Sequence, residues 1–280
     1  MIEDGWGATD VVVRYGSRTA LDGVTFEVPR GRISAVVGGD GAGKTTLLRS
    51  LVGGVRTAGG TVSAPPQRDC GFMPTGAAGV WLDLTVAENF AFVAAAYGIR
   101  GAQLRTRQDA LLAAADLGAV RDRLSRALSG GMRQKLSFCL AMLHRPRLLA
   151  LDEPSTGVDP VSRVELWRLV SQAAAEGAAV AMATTYLDEA ERAATVLVLD
   201  SGRVLASGSP ADVIARTPGV IVADDSGTDR EWSWRRGRVT HRWHPGGPAP
   251  GERPLIPDLE DSVIAAALAD RHSAGSGVPR

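Results

Sequence analysis

The stretch VVGGDGAGKTTLLRSL, residues Val36–Leu51, decides the fold of this chain. It matches the pattern Gly-x-x-x-x-Gly-Lys-Thr, with Gly38, Gly43, Lys44 and Thr45 at the fixed positions. The apolar run RISAVVG leads into the pattern, and the segment that follows has the hydrophobic periodicity of a helix. A strand, a glycine-rich loop and a helix in this order form a phosphate-binding loop, or P-loop. The sequence therefore predicts an α/β fold with a buried parallel sheet.

The composition of this loop fits the binding of a nucleoside triphosphate. Backbone amides can wrap an anion only where no side chain blocks the approach, and the next helix points its positive N-terminal end at the same place. We expect Lys44 to reach the β- and γ-phosphates and the Thr45 hydroxyl to ligate Mg²⁺. A glycine-rich turn that matches by chance would lack the flanking strand and helix. The other expected phosphate-binding residues are Gly38, Gly39, Asp40, Gly41, Ala42, Gly43 and Thr46.

Lysine is rare in this chain. It occurs only at Lys44 and Lys135, and all the other basic residues are arginine. Lysine carries a compact point charge, whereas arginine carries a broad planar one. A chain that avoids lysine, yet has one directly after the glycine loop, therefore indicates a need for a compact cation there.

A pair of acidic residues follows a second apolar strand. The run LLALDEP ends in Asp152 and Glu153. A strand-end aspartate beside a P-loop is the expected Mg²⁺ partner, and the next carboxylate can polarise an attacking water. The alternative is an ordinary surface turn after a strand. Two further stretches flank this run: LSGGMRQKL, which alone could be a loop and a helix cap, and STGVDP, which sets Asp159 on a turn.

Together, in this order and spacing, these motifs resemble the ATP-binding subunits of ABC transporters over about residues 8–215. The stretches LDLTVAENF, GVDPVSRVELW and YLDEAER resemble the ABC-2 type branch, which includes drug and antibiotic exporters. The resemblance implies a P-loop α/β core with an antiparallel β subdomain and a helical subdomain at about residues 84–130. It also implies ATP and Mg²⁺ as ligands, a membrane-spanning permease, and a second ABC ATPase domain in a homo- or heterodimer.

The resemblance assigns roles to single residues. Lys44 and Glu153 are the implied catalytic residues, and Asp152 with Thr45 holds the metal. Tyr15 stands where the family keeps an aromatic residue that stacks on adenine, although an ordinary strand tyrosine is the alternative. The implied remaining nucleotide contacts are Asp159, Thr185 and the signature residues Ser129, Gly130 and Gly131, which would cap the γ-phosphate of ATP bound to the opposite protomer.

The chain departs from the family pattern at three positions. Thr185 replaces a histidine that contacts the γ-phosphate, Thr75 replaces a glutamine, and Asp40 replaces an asparagine. Loss of one preorganised donor at a transition state commonly costs on the order of 10²–10³ in rate. We therefore expect slow hydrolysis at this chain's own site and a partner ATPase with a more standard site.

Composition and terminal patterns bound the other function classes. The formal net charge is zero, which argues against nucleic acid as a partner. Two cysteines cannot form a disulfide framework and favour a reduced, intracellular protein. The start is unlike a secretory signal, and no apolar run is long enough to span a bilayer. We expect a soluble protein that attaches peripherally to the cytoplasmic face of the membrane.

The sequence predicts an ABC ATP-binding domain at 1–217, a small C-terminal extension with a β hairpin and a helix at 218–270, and a disordered tail at 271–280. Arginines and tryptophans around Trp234 predict a small sheet with a solvated face, or a site that packs on the partner, rather than a nucleic-acid site. His241 and His244 lack further ligands nearby, so a metal site is not expected. Two other functions remain open: a regulatory nucleotide-binding protein of attenuated turnover, and a non-transport ABC ATPase acting on ribosomes or DNA.

Overall fold

The computed structural model describes residues 4–224, 231–249 and 251–275. The strands within these ranges are β1 (Gly5–Tyr15), β2 (Arg18–Pro29), β3 (Ile33–Val37), β4 (Gly59–Ser63), β5 (Cys70–Met73), β6 (Leu148–Asp152), β7 (Ala179–Ala183), β8 (Thr195–Asp200), β9 (Arg203–Gly208), β10 (Val220–Ala223), β11 (Ser233–Arg236) and β12 (Val239–His244). The helices are α1 (Lys44–Leu51), α2 (Val86–Ala96), α3 (Gly101–Ala114), α4 (Gly130–Met142), α5 (Pro160–Ala175), α6 (Leu187–Ala190), α7 (Pro210–Ala215) and α8 (Leu259–Gly275).

A mixed sheet of order β5-β6-β7-β3-β8-β9 forms the centre of the molecule. Its first five strands pair in parallel, and β9 closes one edge in antiparallel pairing. Every residue of β3, β6 and β7 is buried, which explains why these strands read as continuous apolar runs. Since parallel strands end at one edge, the loops after β3, β6 and β7 are brought together there.

An antiparallel sheet of order β2-β1-β4 covers one face of the central sheet, together with α1. Along β3, Val36 packs into this layer, whereas Ala35 and Val37 face the layer that contains α4 and α5. The sheet is therefore a middle layer with apolar contacts on both sides. The predicted α/β fold and the predicted antiparallel sheet near the N-terminus are confirmed by this topology.

Helices α2 and α3 lie in the region that the sequence predicted as a helical subdomain. A buried asparagine, Asn89, holds the start of α2 in place. The Asn89 side chain accepts a hydrogen bond from the Trp81 amide at 2.8 Å. Its Nδ2 donates to the carbonyls of Trp81 and Thr85, both at 3.0 Å, and to the Ser125 hydroxyl at 3.0 Å. Asn89 is fully buried, so this one side chain ties the start of α2 to two separate loops.

We expect Asn89→Ala to lower the free energy of unfolding by about 3 kcal/mol, because it leaves several buried backbone and hydroxyl groups unpaired. Urea unfolding monitored by circular dichroism measures this change. Gln172→Ala removes an exposed side-chain amide on α5 and serves as the control, with an expected effect within about 0.5 kcal/mol. Equal stabilities of the two variants would contradict the organising role of Asn89.

A small sheet of order β10-β12-β11 and helix α8 form the C-terminal part. Strands β11 and β12 pair as an antiparallel hairpin, and β10, which was not predicted, pairs with the other side of β12. Helix α8 continues to Gly275, so a disordered tail from 271 is wrong for residues 271–275, and 276–280 lie outside the described residues. Because Leu259 packs into the main core, this part is attached to the P-loop body through α8.

Two arginines of this small sheet are paired with carboxylates. Arg236 bonds to Asp258 and Glu260, and Arg242 bonds to Glu252. Their charges are neutralised within the chain, so these two arginines do not form an open basic patch. No helix in the described ranges is long and apolar enough to cross a membrane.

Candidate functional site

The glycine loop between β3 and α1 is bare for two different reasons. A Cβ on Gly38 would lie 2.1 Å from the Leu199 carbonyl oxygen, and one on Gly43 would lie 2.7 Å from the Ala20 carbonyl oxygen. Both glycines also have positive φ, at 155° and 109°. Neighbouring backbone thus requires glycine at these positions before any ligand is considered. No atom lies within 4 Å of a Cβ built on Gly39. The lack of a side chain at Gly39 therefore leaves the loop amides accessible to a ligand.

The N-terminus of α1 is open. Helix α1 begins at Lys44, and Gly43 at its N-cap position supplies no capping side chain. The first amides of a helix have no partner within the helix and carry partial positive charge. The folded loop therefore presents free donors to an anion at the place where the sequence predicted a phosphate.

Lys44 is held by the loop that it follows. Its Nζ donates to the carbonyl oxygens of Gly38 at 2.7 Å and Gly39 at 3.2 Å. The same ammonium lies 3.4 Å from Glu153 Oε1, and the lysine side chain is only 7% exposed. The P-loop cation and the strand-end glutamate, distant in sequence, thus meet at one point.

Thr45 and Asp152 form the second contact between the P-loop and β6. The Thr45 hydroxyl donates to the two carboxylate oxygens of Asp152, at 3.1 and 2.9 Å. Asp152 is 2% exposed and ends a fully buried strand. A hydroxyl and a carboxylate in contact are oxygen ligands of the kind that Mg²⁺ takes from proteins when phosphate and water supply the rest. The donor set therefore fits the predicted metal.

Glu153 adopts a left-handed backbone conformation with φ 49°. This conformation costs a residue with a Cβ about 1–2 kcal/mol. It is fixed by the Glu153 amide, which donates to the Ala183 carbonyl at 2.9 Å, while Oε2 accepts from the Thr156 hydroxyl at 2.8 Å. The strain turns the carboxylate away from the buried sheet and toward Lys44. Such outliers concentrate at functional sites.

A cavity of about 440 Å³ opens in front of this cluster. Tyr15, which is half exposed, lies on its wall with the loop residues and Glu153. Arg18 and Ala20 also line it, and sequence reasoning missed both. The hairpin turn that pairs Arg18 with Tyr15 was the available signal, since it places the two side chains at one end of the β1–β2 ribbon. The predicted residues on this wall are Tyr15, Gly39, Asp40, Gly41, Ala42, Gly43, Lys44, Thr45, Thr46 and Glu153.

Other predicted site residues lie outside that cavity. Ser129 is the exposed N-cap of α4 and accepts from the Met132 amide at 3.2 Å. Asp159 caps α5, and hydrogen bonds from the Ser162 and Val161 amides lower the pKa of its carboxyl. A Cβ on Gly131 would lie 2.6 Å from the Ser162 hydroxyl, so the two caps are in contact. Ser129, Gly130 and Asp159 are thus exposed at a surface separate from the cavity, and Gly131 is buried beside them.

Thr75 and Thr185, which replace the family glutamine and histidine, are both exposed to solvent. Thr185 follows β7 and is exposed, whereas Thr184 is buried and donates to Glu189 Oε2 at 2.8 Å. Thr184 therefore fixes this loop and leaves the Thr185 side chain facing solvent. Thr75 is also exposed, at the start of a 3₁₀ turn after β5. Neither Thr75 nor Thr185 lines the cavity described above.

Comparison with known proteins decides the family. Residues 21–156 match the ABC transporter family. The chain is 35% identical over 226 residues to the Nod factor export ATP-binding protein I of Ralstonia nicotianae, covering 77% of this chain and 70% of that protein. This chain belongs to the ABC transporter ATP-binding family. It is therefore a nucleotide-binding protein of ATPase type, as the sequence predicted.

Two further relatives support the family and the fold. The daunorubicin/doxorubicin resistance ATP-binding protein DrrA of Streptomyces peucetius is 37% identical over 209 residues, covering 71% of this chain and 63% of that protein. A solved ATP-binding subunit of an ABC transporter superposes with a TM-score of 0.69 at 29% identity, covering 76% of this chain and 92% of that chain. The chain thus spans under two thirds of the resistance protein's length, and most of a single ABC ATPase subunit.

Proposed function

We propose that this ABC ATPase energises an ABC-2 type exporter and hydrolyses MgATP slowly at its own site. The observation that carries the proposal is the meeting of Lys44, Thr45, Asp152 and Glu153 beside one cavity. Relatives named for Nod factor export and for daunorubicin/doxorubicin resistance support an exported small molecule as cargo. We place the chain at the cytoplasmic face of the membrane as a peripheral subunit.

In this proposal the residues of the chain perform distinct tasks. The open amides of α1 and the Lys44 ammonium bind the terminal phosphates and orient them. Lys44 exchanges its present loop carbonyls for phosphate oxygens when nucleotide enters. Glu153 accepts a proton from the attacking water, and Tyr15 packs on the adenine ring while Arg18 lies at the same wall. Lys44, Glu153, Tyr15 and Arg18 all line the same cavity, which supports this division of tasks.

Thr45 and Asp152 would hold Mg²⁺, which supplies charge neutralisation for the β- and γ-phosphates when it is bound. Because the Asp152 carboxylate is buried at the end of β6, its position is fixed by the sheet. The Thr45 hydroxyl is fixed by the first turn of α1.

A second ABC ATPase domain completes the proposed assembly. Ser129 and Gly130 are exposed and lie outside this chain's own cavity, so they are free to contact nucleotide bound by another protomer. The close approach of Gly131 to Ser162 brings the start of α4 beside the start of α5, where Asp159 lies. We propose that these residues close the nucleotide site of a partner whose own catalytic residues are more standard.

An exposed aromatic patch offers a surface for the membrane partner. The patch consists of Trp81, Leu82 and Phe92, with the rings of Trp81 and Phe92 centred 4.2 Å apart. Clusters of exposed large apolar side chains mark protein or membrane contacts. Trp81 and Leu82 lie between the Thr75 turn and α2, and Phe92 lies on α2. The buried Asn89 side chain accepts from the Trp81 amide and holds this segment in place. We propose that a permease subunit binds there.

The attenuation is tested by restoring the missing imidazole. We expect Thr185→His to raise MgATP turnover by about tenfold or more, since a donor directed at developing phosphate charge is worth up to 10²–10³ in rate. Steady-state phosphate release measures the change, with the MgATP dissociation constant determined in parallel. The site of substitution is exposed, so the larger side chain requires no repacking of the core.

Thr185→Ser is the matched control, because it keeps a hydroxyl and adds no imidazole; its turnover should stay within about twofold of the parent chain. A brisk parent turnover that Thr185→His leaves unchanged would contradict the attenuation. Copurification of a multi-span membrane protein with the chain tests the transport assignment separately. A ribosome or DNA complex in its place would favour the non-transport alternative.

A regulatory nucleotide-binding protein is the second candidate function. The replacements at Thr75 and Thr185 favour it, because each stands where the family pattern has a longer polar side chain. This candidate predicts MgATP binding with no turnover, even when the membrane partner and a second ATPase domain are present. A partner-stimulated ATPase rate that requires Glu153 distinguishes the exporter subunit from it.

A further inference from the structure

A second cavity lies between the start of α3 and the loop after α4. Its volume is about 340 Å³, and it shares no lining residue with the nucleotide cavity. The polar side chains on its wall are Gln103, Thr106, Arg107, His144 and Arg145, and no carboxylate is among the lining residues. A ligand site in this cavity would therefore be separate from the P-loop, and testing it does not depend on the proposed function.

Arg107 is fixed at the back of this cavity. Its Nε donates to the Leu143 carbonyl at 3.2 Å and its Nη2 to the Met142 carbonyl at 2.8 Å. These bonds cap the last turn of α4 and lock the guanidinium plane. Among the described residues, no carboxylate pairs with Arg107 and no protein acceptor is bonded to its Nη1. The guanidinium is thus held in place with donors unused.

Arg145 brings a second positive charge to the same cavity. Its φ is 56°, a backbone conformation that favours glycine, yet the residue is arginine. Burial, and then the nearby charge of Arg145, lower the pKa of Arg107, so the two guanidinium groups repel each other. Glu176 acts on Arg107 from a distance, without an ion pair, and is bonded to Gln172 at 3.0 Å. The residues that line the cavity therefore carry net positive charge, with no carboxylate among them.

His144 contributes a neutral wall. Its Nε2 lies 3.0 Å from the Cys70 carbonyl oxygen, so that nitrogen carries the hydrogen. The ring stacks on Tyr97 with centroids 3.8 Å apart, and burial lowers the pKa of His144. The charge of Asp69 also acts on this ring and opposes the effect of burial on the pKa of His144. The apolar side chains of Ile99 and Leu143 complete the wall.

We propose that this cavity is a binding site for a phosphate group, held between Arg107 and Arg145 with Thr106 and Gln103 as further donors. Two guanidinium groups match the charge of about −1.5 to −2 that a phosphate monoester carries near neutral pH. The volume leaves room for a small organic body against the apolar wall. The phosphate belongs to a soluble phosphate ester or to a lipid headgroup, and both present the same group to the two arginines.

The test uses the full chain with a saturating, non-hydrolysable MgATP analogue, which occupies the P-loop including the position of the γ-phosphate. Inorganic phosphate is titrated by calorimetry into the parent chain, into Arg145→Gly, and into Arg105→Ala as the control for loss of one exposed positive charge on α3. Arg145→Gly suits the left-handed backbone, so its melting temperature should not fall. We expect it to weaken phosphate binding at least tenfold, and Arg105→Ala to change it less than twofold.

A second arm distinguishes the sources of phosphate. Vesicles of phosphatidylcholine, with and without phosphatidic acid, are sedimented with the parent chain and with Arg145→Gly. Binding to phosphatidic acid that Arg145→Gly removes supports a lipid headgroup, and loss confined to inorganic phosphate supports a soluble ester. The proposal is overturned if neither probe shows binding that depends on Arg145. It is also overturned if acetate binds the cavity as tightly as phosphate.

Discussion

Lys44→Ala is expected to weaken MgATP binding by about 10²-fold and to abolish measurable turnover. Charge-assisted hydrogen bonds contribute about 1.5–3 kcal/mol each, and each 1.4 kcal/mol is a factor of ten in affinity. The Lys44 ammonium, now bonded to two loop carbonyls and close to Glu153, is the cation positioned to reach the terminal phosphates. Calorimetric titration with MgATP measures the loss.

Arg49→Ala is the matched control for Lys44→Ala. Arg49 is an exposed cation in the last turn of the same helix, away from the glycine loop. Its removal changes the net charge equally and should alter MgATP affinity by less than twofold. Circular dichroism checks that the Lys44 variant keeps its fold, because that lysine is buried. A folded Lys44→Ala chain with unchanged MgATP affinity would refute the assigned role.

The central part of the site was predictable because its motifs are local and its strands are parallel. Lys44 and Thr45 follow β3, and Asp152 and Glu153 end β6 or follow it. Once both runs are read as parallel strands of one sheet, their carboxyl ends must lie at one edge. The contacts from Thr45 to Asp152 and from Lys44 to Glu153 then follow from the fold class.

The parts that were not predicted depend on contacts between segments distant in sequence. Gly38 is required by the Leu199 carbonyl, and Gly43 by the Ala20 carbonyl, so phosphate access was an incomplete reason for these glycines. Arg18 comes to the cavity through a hairpin turn and belongs to no motif. The residue types at a strand end do not indicate a positive φ, so the backbone strain at Glu153 could not be predicted from the sequence either.

That strain bears on the second large effect. Glu153→Gln is expected to keep MgATP affinity within about threefold while lowering turnover by about 10²–10⁴, the range attributed to a positioned general base. An amide can accept from Thr156 and keeps the shape of the side chain, but it cannot take a proton from water. A single-turnover assay at saturating MgATP, preferably with the partner ATPase domain present, measures this separation of binding from chemistry.

Two further variants test whether the loss of turnover is specific to the Glu153 carboxylate. Glu176→Gln neutralises an exposed carboxylate at the end of α5 and should leave turnover unchanged. Glu153→Gly relieves the left-handed backbone, so it should be at least as stable as the parent chain and equally inactive. A chain that is stabilised by losing its glutamate, and disabled by the same change, keeps the residue for chemistry at a cost in stability. Full turnover in Glu153→Gln would instead assign the strained glutamate a structural role as the ion-pair partner of Lys44.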